Sequence, residues 1–265
     1  MGQRVGVGVI VGSCGKCSSC LADDEQYCKD VVFTYNSFVG NYLTKGGYAE
    51  EVRVHEKFVY RIPDTLKSEE AAPLLCAGIT TFDPLVSFGL KKGDRVAILG
   101  IGGLGHLGVQ FSHALGYEVT AISTSPSKEQ FAKSLGAHKF LNSKDKSQLE
   151  AHECYFDFIL NTVSGDIDVE TYLPLLRNGG KFCYVGIPAS NISFDWDLTK
   201  RRGSVCASMI GGVKSTQRML DFCAEHNIKA MIETLPMSAE SVNIALEKIR
   251  KNEPKFRVVL VNPLS

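Results

Sequence analysis

Cys14, Cys17, Cys20 and Cys28 fall within one short stretch, CGKCSSCLADDEQYC. Two successive C-x-x-C steps and one longer hop gather four soft thiolates on a compact loop, the ligand set of a closed, tetrahedral structural zinc. The same residues are also able to pair as disulfides. Disulfide frameworks, however, belong to short secreted chains, whereas this sequence has 265 residues. Its apolar opening, MGQRVGVGVIVG, alternates with glycine like a strand rather than a signal sequence. Nine cysteines, an odd number, fit a reducing compartment, and a cytoplasmic protein is the expectation.

A second chemical signature lies at Gly100, Gly102 and Gly105, in GIGGLGH. It follows RVAIL (Arg95 to Leu99), a short apolar run of the kind a strand buried on both faces shows, and precedes a helical stretch. In that setting Gly100 makes the turn, Gly102 lets backbone approach a pyrophosphate, and Gly105 lets helix and strand pack closely. Gly103, Leu104 and Gly105 then bring helix N-terminal amides and the positive dipole end to the phosphates. An NAD site usually ends its second strand with a carboxylate for the ribose 2′-hydroxyl. Here the strand Val119 to Ile122 runs instead into Ser123, Thr124, Ser125 and, two residues beyond Pro126, Lys128. Hydroxyls and an ammonium suit a 2′-phosphate, which a carboxylate repels, so NADP(H) is favoured over NAD(H). The loop has a structural alternative, with Ser127 capping the next helix.

The elements that must position these groups alternate. Strand-like runs at Arg95 to Leu99, Val119 to Ile122, Phe156 to Leu160 and Lys181 to Val185 are separated by helical segments such as Lys128 to Leu135 and Val169 to Leu176. That order implies right-handed βαβ units on a parallel sheet. From Arg218 onward the pattern is helix, strand, helix, strand. Composition is that of an ordinary globular enzyme: 44% hydrophobic, 22% charged, formal net charge zero. No basic excess points to nucleic acid, and no apolar run is long enough to span a bilayer. No internal repeat or long charge block suggests a tail-mediated partner.

Taken together, the cysteine loop, GGYAE (Gly46 to Glu50), RIPD (Arg61 to Asp64), APLLCAGITTF (Ala72 to Phe82), KKGDRVAILGIGGLGH and SMIGG (Ser208 to Gly212) resemble the zinc-dependent alcohol dehydrogenases of the medium-chain dehydrogenase/reductase superfamily, most closely the cinnamyl alcohol dehydrogenase branch. The resemblance covers essentially the whole chain. It implies an α/β fold with a Rossmann coenzyme domain at about 77–217. A GroES-like, β-rich catalytic domain would be formed by 1–76 and the return segment 218–265. It also implies aldehyde and primary alcohol interconversion with NADP(H), and homodimers joined through the coenzyme domain. Cys14, Cys17, Cys20 and Cys28 match the structural zinc ligands. Cys76, which taken alone in its apolar segment reads as a buried core thiol, matches a ligand of the catalytic zinc. Thr80 and the stretches Asn161 to Val163 (with Thr162), Val185 to Ile187 (with Gly186) and Ser208 to Ile210 match positions around the nicotinamide and its ribose, and Ser123, Ser125 and Lys128 match the 2′-phosphate loop. Arg257 resembles a family position near the cofactor.

One departure is large. The family carries further catalytic ligands in a Cys-His pair and a Gly-His-Glu motif, and neither occurs in this sequence. The six histidines show no ligand spacing with Cys76, and Cys154, Cys183, Cys206 and Cys223 read as core thiols. The expectation is thus an N-terminally truncated member with an incomplete GroES-like domain. Its function is either the family's zinc-dependent NADP(H) reaction or, as the alternative, binding of structural zinc and NADP without catalysis. Which aldehyde or alcohol is used is not legible.

Overall fold

The computed structural model describes residues 2–195, 200–251 and 256–262, so Trp196, for which the sequence suggests no role, lies outside the described residues. Two compact units divide the chain: Met1–Ile79 together with Ile210–Ser265, and Thr80–Met209 inserted between them.

The first unit opens with short antiparallel pieces: β1 (Val5–Val7), β2 (Ile10–Gly12), β3 (Val32–Phe33), β4 (Tyr35–Val39), β5 (Tyr42–Lys45) and β6 (Val59–Arg61). β1 pairs with β6, β2 with β3 and β4 with β5. A single-turn helix, α1 (Ser18–Leu21), lies between β2 and β3, and α2 (Ser68–Ala71) follows β6. The β4–β5 hairpin is two strands wide and leaves Phe38, Val39 and Tyr42 exposed. The helix α3 (Ala77–Ser87) contains the boundary with the second unit.

That second unit is built on β7 (Arg95–Leu99), β8 (Glu118–Ser123), β9 (Lys139–Asn142), β10 (Phe156–Asn161), β11 (Leu176–Tyr184) and β12 (Ser204–Ala207), with α4 (Gly105–Ala114), α5 (Glu129–Ser134) and α6 (Lys146–Glu150) as crossovers. All five pairings are parallel, and the order across the sheet is β12-β11-β10-β7-β8-β9. The chain moves outward from β7 to β9, then returns to lay β10 against the other side of β7. In open parallel sheets such a reversal marks the ligand-binding position, here at the carboxyl ends of β7 and β10. Continuous apolar runs follow from burial on both faces: Val96 to Leu99 and Phe158 to Leu160 are all buried. On one face Ala97, Leu99, Ile122, Ile159, Phe182 and Tyr184 pack into a single core with Leu173 and Leu175.

Two expectations need correction here. Val169–Leu176 is not a helix: 3₁₀ turns at Val169–Thr171 and Leu173–Leu175 lead straight into β11. Pro174, inside the second turn, lacks the amide a helix would use there. Nor is Cys154 a core thiol; it is exposed, in a left-handed turn at φ 55°. Cys183 and Cys223 are buried, whereas Cys206 is half-buried.

The chain then re-enters the first unit through α7 (Val213–His226), β13 (Ile232–Pro236), α8 (Ala239–Arg250) and β14 (Arg257–Val261), with β13 and β14 parallel. Thr216, Met219, Leu220 and Cys223, at helical spacing, form the buried stripe of α7. Gly78 faces this helix closely: a Cβ there would meet the Met219 sulfur at 3.1 Å. No helix among the described residues is long and apolar enough to cross a membrane.

Candidate functional site

The four cysteines converge. Gly15, at φ +70°, turns the chain after Cys14, α1 carries Cys20 inward, and a 3₁₀ turn at Glu25–Tyr27 returns Cys28 to the cluster. All four sulfurs lie within 4.8 Å of one another, with Cys14 and Cys20 4.0 Å apart. A zinc with thiolates at about 2.3 Å in a tetrahedron has sulfur–sulfur edges of about 3.8 Å, so the set fits that ion with little adjustment. Backbone amides point at the sulfurs: Cys17 N–H donates to Cys14 Sγ (3.3 Å) and Cys14 N–H to Cys28 Sγ (3.4 Å). The Lys16 amide, followed by that of Cys17, lowers Cys14 to about 6. Against the amide of Cys14, burial and the Cys14 and Cys20 thiols hold Cys28 up at about 11. Metal entry therefore expels a proton.

The loop is anchored by a residue that sequence reading passed over. Glu25 is 1% exposed, accepts a hydrogen bond from Val213 N–H at the start of α7 (3.0 Å), and pairs with Lys57 Nζ at 3.0 Å. A carboxylate at a helix N-terminus meets both orphan amides and the positive dipole end. Gly212 sits so close that a Cβ would overlap the Asp23 carbonyl. Glu25→Ala removes a charged acceptor from two donors and is expected to destabilise this unit by about 2–3 kcal/mol. The denaturation midpoint followed by far-UV circular dichroism, compared with that of the exposed Glu51→Ala, checks it.

In the second unit the glycine loop, the serine–lysine loop and the Thr162–Val163 segment meet at the carboxyl ends of β7, β8 and β10. Gly100 turns at φ +88°, and a Cβ at Gly105 would overlap the Gly100 carbonyl, so α4 begins pressed against the end of β7. Thr162 Oγ1 donates to the carbonyls of Leu99 (3.0 Å) and Gly100 (2.8 Å), locking β10 to that turn. At Gly102, by contrast, a Cβ would find nothing within 4 Å. The sequence keeps glycine there although packing does not demand it, which leaves space for a ligand. Gly103, Leu104 and Gly105 lie at the N-terminal end of α4, whose N-cap is Leu104. His106 is fully buried, with Nδ1 2.9 Å from the Gly102 carbonyl oxygen.

Lys128 Nζ donates to the Ile101 carbonyl at 2.7 Å, so the serine–lysine loop folds onto the glycine loop. Ser123 is buried and accepts from Ser125 N–H (3.2 Å), while Thr124 is exposed. Ser127 caps nothing: it sits inside the 3₁₀ turn Pro126–Lys128, and α5 starts two residues later. The structural alternative for this loop is thereby removed. Asn161, the first residue of the Asn161 to Val163 stretch that the resemblance places beside the nicotinamide, ties the neighbouring segments. Its side-chain oxygen accepts from Val163 N–H (3.0 Å), and its carbonyl accepts from Val185 and Gly186 N–H (3.0 and 3.1 Å). A Cβ at Gly186 would overlap the Val163 carbonyl, and Ile187 next to it is exposed. Ser208, past the end of β12, donates its N–H to the Tyr184 carbonyl (2.9 Å). Thr80 is buried on α3, and Ile210, at φ 43°, belongs to the first unit.

Cys76 ends a 3₁₀ turn at Ala72–Leu75 and is exposed, not a core thiol. Its electrostatic neighbours are not metal ligands. Burial and then the Cys76 sulfur raise Tyr35, while burial lowers Arg257 against the opposing pull of Cys76. Among the described residues the four-cysteine loop is the one group of three or more cysteine, histidine or carboxylate side chains able to hold a metal. Cys76 brings no ligand set with it, so these residues do not fit a catalytic zinc.

Comparison with known proteins accounts for both units. Residues 103–225 match the model of a zinc-binding dehydrogenase, and residues 1–64 that of an alcohol dehydrogenase GroES-like domain. A probable formaldehyde dehydrogenase of Bacillus subtilis is 46% identical over 264 residues, covering 98% of this chain and 75% of its own length. A probable cinnamyl alcohol dehydrogenase of Populus deltoides is 42% identical, with 98% and 73% covered. Among solved structures, a Sorghum bicolor cinnamyl alcohol dehydrogenase superposes with a TM-score of 0.92 at 38% identity, over 98% of this chain and 74% of that one. A Helicobacter pylori enzyme of the same name, complexed with NADP(H), gives 0.88 at 35% identity over 98% and 75%. The chain spans about three quarters of these relatives and belongs to the zinc-dependent alcohol dehydrogenases of the medium-chain dehydrogenase/reductase superfamily.

Proposed function

We propose that the protein is an NADP(H)-dependent oxidoreductase acting between primary alcohols and aldehydes. The observation that carries this reading is the Ser123–Lys128 loop folded onto the glycine turn, with no carboxylate at the end of β8. NADPH, when bound, supplies the hydride. The chain's own part is binding and orientation. Amides at the start of α4 hold the pyrophosphate, and Gly102 lets it approach. Ser123, Thr124, Ser125 and Lys128 take the 2′-phosphate, Lys128 exchanging the Ile101 carbonyl for a charged partner. Thr162, Val163 and Val185–Ile187 supply backbone beside the nicotinamide, held in place by Asn161. Its relatives' names support small aldehydes or alcohols as substrates, and nine cysteines, none of them in a disulfide, support a cytosolic setting. The place of β12 at the edge of the sheet, among the described residues, supports a homodimer in which that strand pairs with its copy.

A second reading has its own support. Because Cys76 belongs to no group of three or more metal-ligating side chains among the described residues, the chain as given binds one structural zinc and NADP(H) without turning over alcohol. Zinc content and aldehyde-dependent NADPH oxidation in the same preparation decide between them. More than one zinc per chain with turnover supports the full reaction; one zinc with tight NADPH binding and no turnover supports binding alone.

Cofactor choice is tested separately. NADPH is expected to bind at least about tenfold more tightly than NADH, and Lys128→Glu to weaken NADPH by about 10–100-fold while leaving NADH within a few-fold, from the loss of one or two charge-assisted hydrogen bonds. Fluorescence titration of the reduced coenzymes measures this, and tighter binding of NADH to the wild type would overturn the assignment.

A further inference from the structure

β11 and β12 are parallel neighbours, and their register sets Cys183 directly opposite Cys206. Side chains paired this way leave the same face of a sheet. The two thiols therefore stand side by side, one rung before the ladder's last pair, Tyr184 and Ala207. Adjacent strands run about 4.8 Å apart, inside the Cα separation of about 4.4–6.8 Å that disulfides span. No backbone rearrangement is needed to bring the sulfurs into bonding range.

The two sulfurs differ in kind. Cys183 is buried in the sheet, whereas Cys206, on the edge strand, is half-buried and open to a small solute. The Cys183 thiol, and beyond it the Lys181 ammonium, lower Cys206 in spite of burial. The same contact and burial raise Cys183. The reachable member is thus the better nucleophile, and the hidden one keeps its proton, the division of labour of an attacking and a resolving cysteine. Both sulfurs project from the face of the sheet and not from its edge, so a strand paired along β12 would leave this arrangement intact.

We propose that Cys183 and Cys206 form a dithiol that peroxide closes into a reversible cross-strand disulfide. The Cys206 thiolate attacks one peroxide oxygen, the O–O bond breaks, and with one proton taken up a water leaves and Cys206 becomes a sulfenic acid. The Cys183 sulfur then attacks the Cys206 sulfur. The S–S bond forms, the S–O bond breaks, and the hydroxyl departs with the Cys183 proton as a second water. Two thiols are oxidised and one peroxide is reduced. Glutathione reopens the bridge by thiol–disulfide exchange: its thiolate attacks one sulfur, the S–S bond breaks, and a second glutathione releases the mixed disulfide as oxidised glutathione.

The test uses the full, zinc-loaded chain treated with one equivalent of hydrogen peroxide, quenched by alkylation and mapped by mass spectrometry without reduction. The expected result is a linked pair of peptides containing Cys183 and Cys206, lost on adding reduced glutathione. Cys206→Ser, at the half-buried position, is expected to abolish the link and leave Cys183 alkylatable. Cys183→Ala is expected to leave a sulfenic acid at Cys206 that dimedone traps. Oxidation confined to the exposed Cys76 or Cys154, with Cys183 and Cys206 both alkylated, would overturn the proposal. So would sulfinic acid at Cys206 beside a reduced Cys183.

Discussion

Cys28→Ser is expected to empty the four-cysteine loop of metal, lowering zinc from one to none per chain after mild chelation. It should also reduce thermal stability by about 10 °C. The expectation rests on where the ligands sit. Cys14 to Cys28 contains no helix longer than the four residues of α1, so apart from short turns and the Glu25 anchor it is the ion that holds the loop together. Cys28 is buried, and a serine there offers a hard, protonated oxygen where a thiolate is needed. Binding energy at such sites is folding energy, and losing even a fraction of the roughly 10–16 kcal/mol seen in zinc-finger peptides exceeds any single side-chain contact. A loss of about 4 kcal/mol at roughly 2–4 °C per kcal/mol gives the shift stated. Acid should act in the same direction. Protons compete with zinc for thiolates, so zinc is retained at neutral pH and released as the pH falls, with Cys14, at about 6, the ligand slow to protonate. Metal analysis beside a thermal melt checks both statements, and Cys154→Ser, at an exposed turn, should change neither.

Gly105→Ala carries the second large effect. The added methyl has no room against the Gly100 carbonyl, and the atom in the way is backbone, so α4 must lift from the end of β7. That movement strains the Thr162 hydrogen bonds to Leu99 and Gly100 and draws the helix amides from the phosphate position. A loss of about 2–3 kcal/mol in stability and at least about a hundredfold in NADPH affinity is expected from overpacking and misplacement together. Gly102→Ala separates packing from binding. With nothing within 4 Å of its Cβ, it should leave the melting temperature almost unchanged while weakening NADPH, because the methyl occupies the space the pyrophosphate needs. Equal affinity in Gly102→Ala and wild type would remove the glycine loop from the binding site.

Much of this organisation was legible from residue order, for reasons that can be named. Strands buried on both faces leave continuous apolar runs, so β7, β8 and β10 were placed nearly to their ends. β11 was not. It begins at Leu176, five residues earlier than its apolar signal, because Leu176 to Gly180 includes arginine, asparagine and two glycines where the ladder is irregular. Gly179, at φ +76°, marks that irregularity, and Val169 and Leu173 of the 3₁₀ turns before it mimic helical spacing. The cysteine spacing announced the zinc loop, but not its anchor, since Glu25 acquires meaning only when Val213 arrives beside it. At Asn161 the family resemblance marks the position, but the three backbone groups it holds become visible only in the fold. Cys76 shows the converse. Its apolar neighbours in sequence suggested burial, yet the turn at Ala72–Leu75 faces its side chain outward.

The bond between Glu25 and Val213 joins residues 188 positions apart, and the whole of Thr80–Met209 is threaded between them. During synthesis the zinc loop emerges early, but the helix end that receives its carboxylate leaves the ribosome only after the parallel sheet is complete. The sheet-bearing unit has all its pairings internal and is free to fold while the chain is still growing. The metal loop must wait, its cysteines accessible to stray metals and oxidants for the time it takes to translate the intervening segment. For expression of this protein, zinc supply and reducing conditions therefore matter during translation more than after it. Slowing elongation through the second unit should lower the yield of zinc-loaded protein without altering the stability of molecules that complete it.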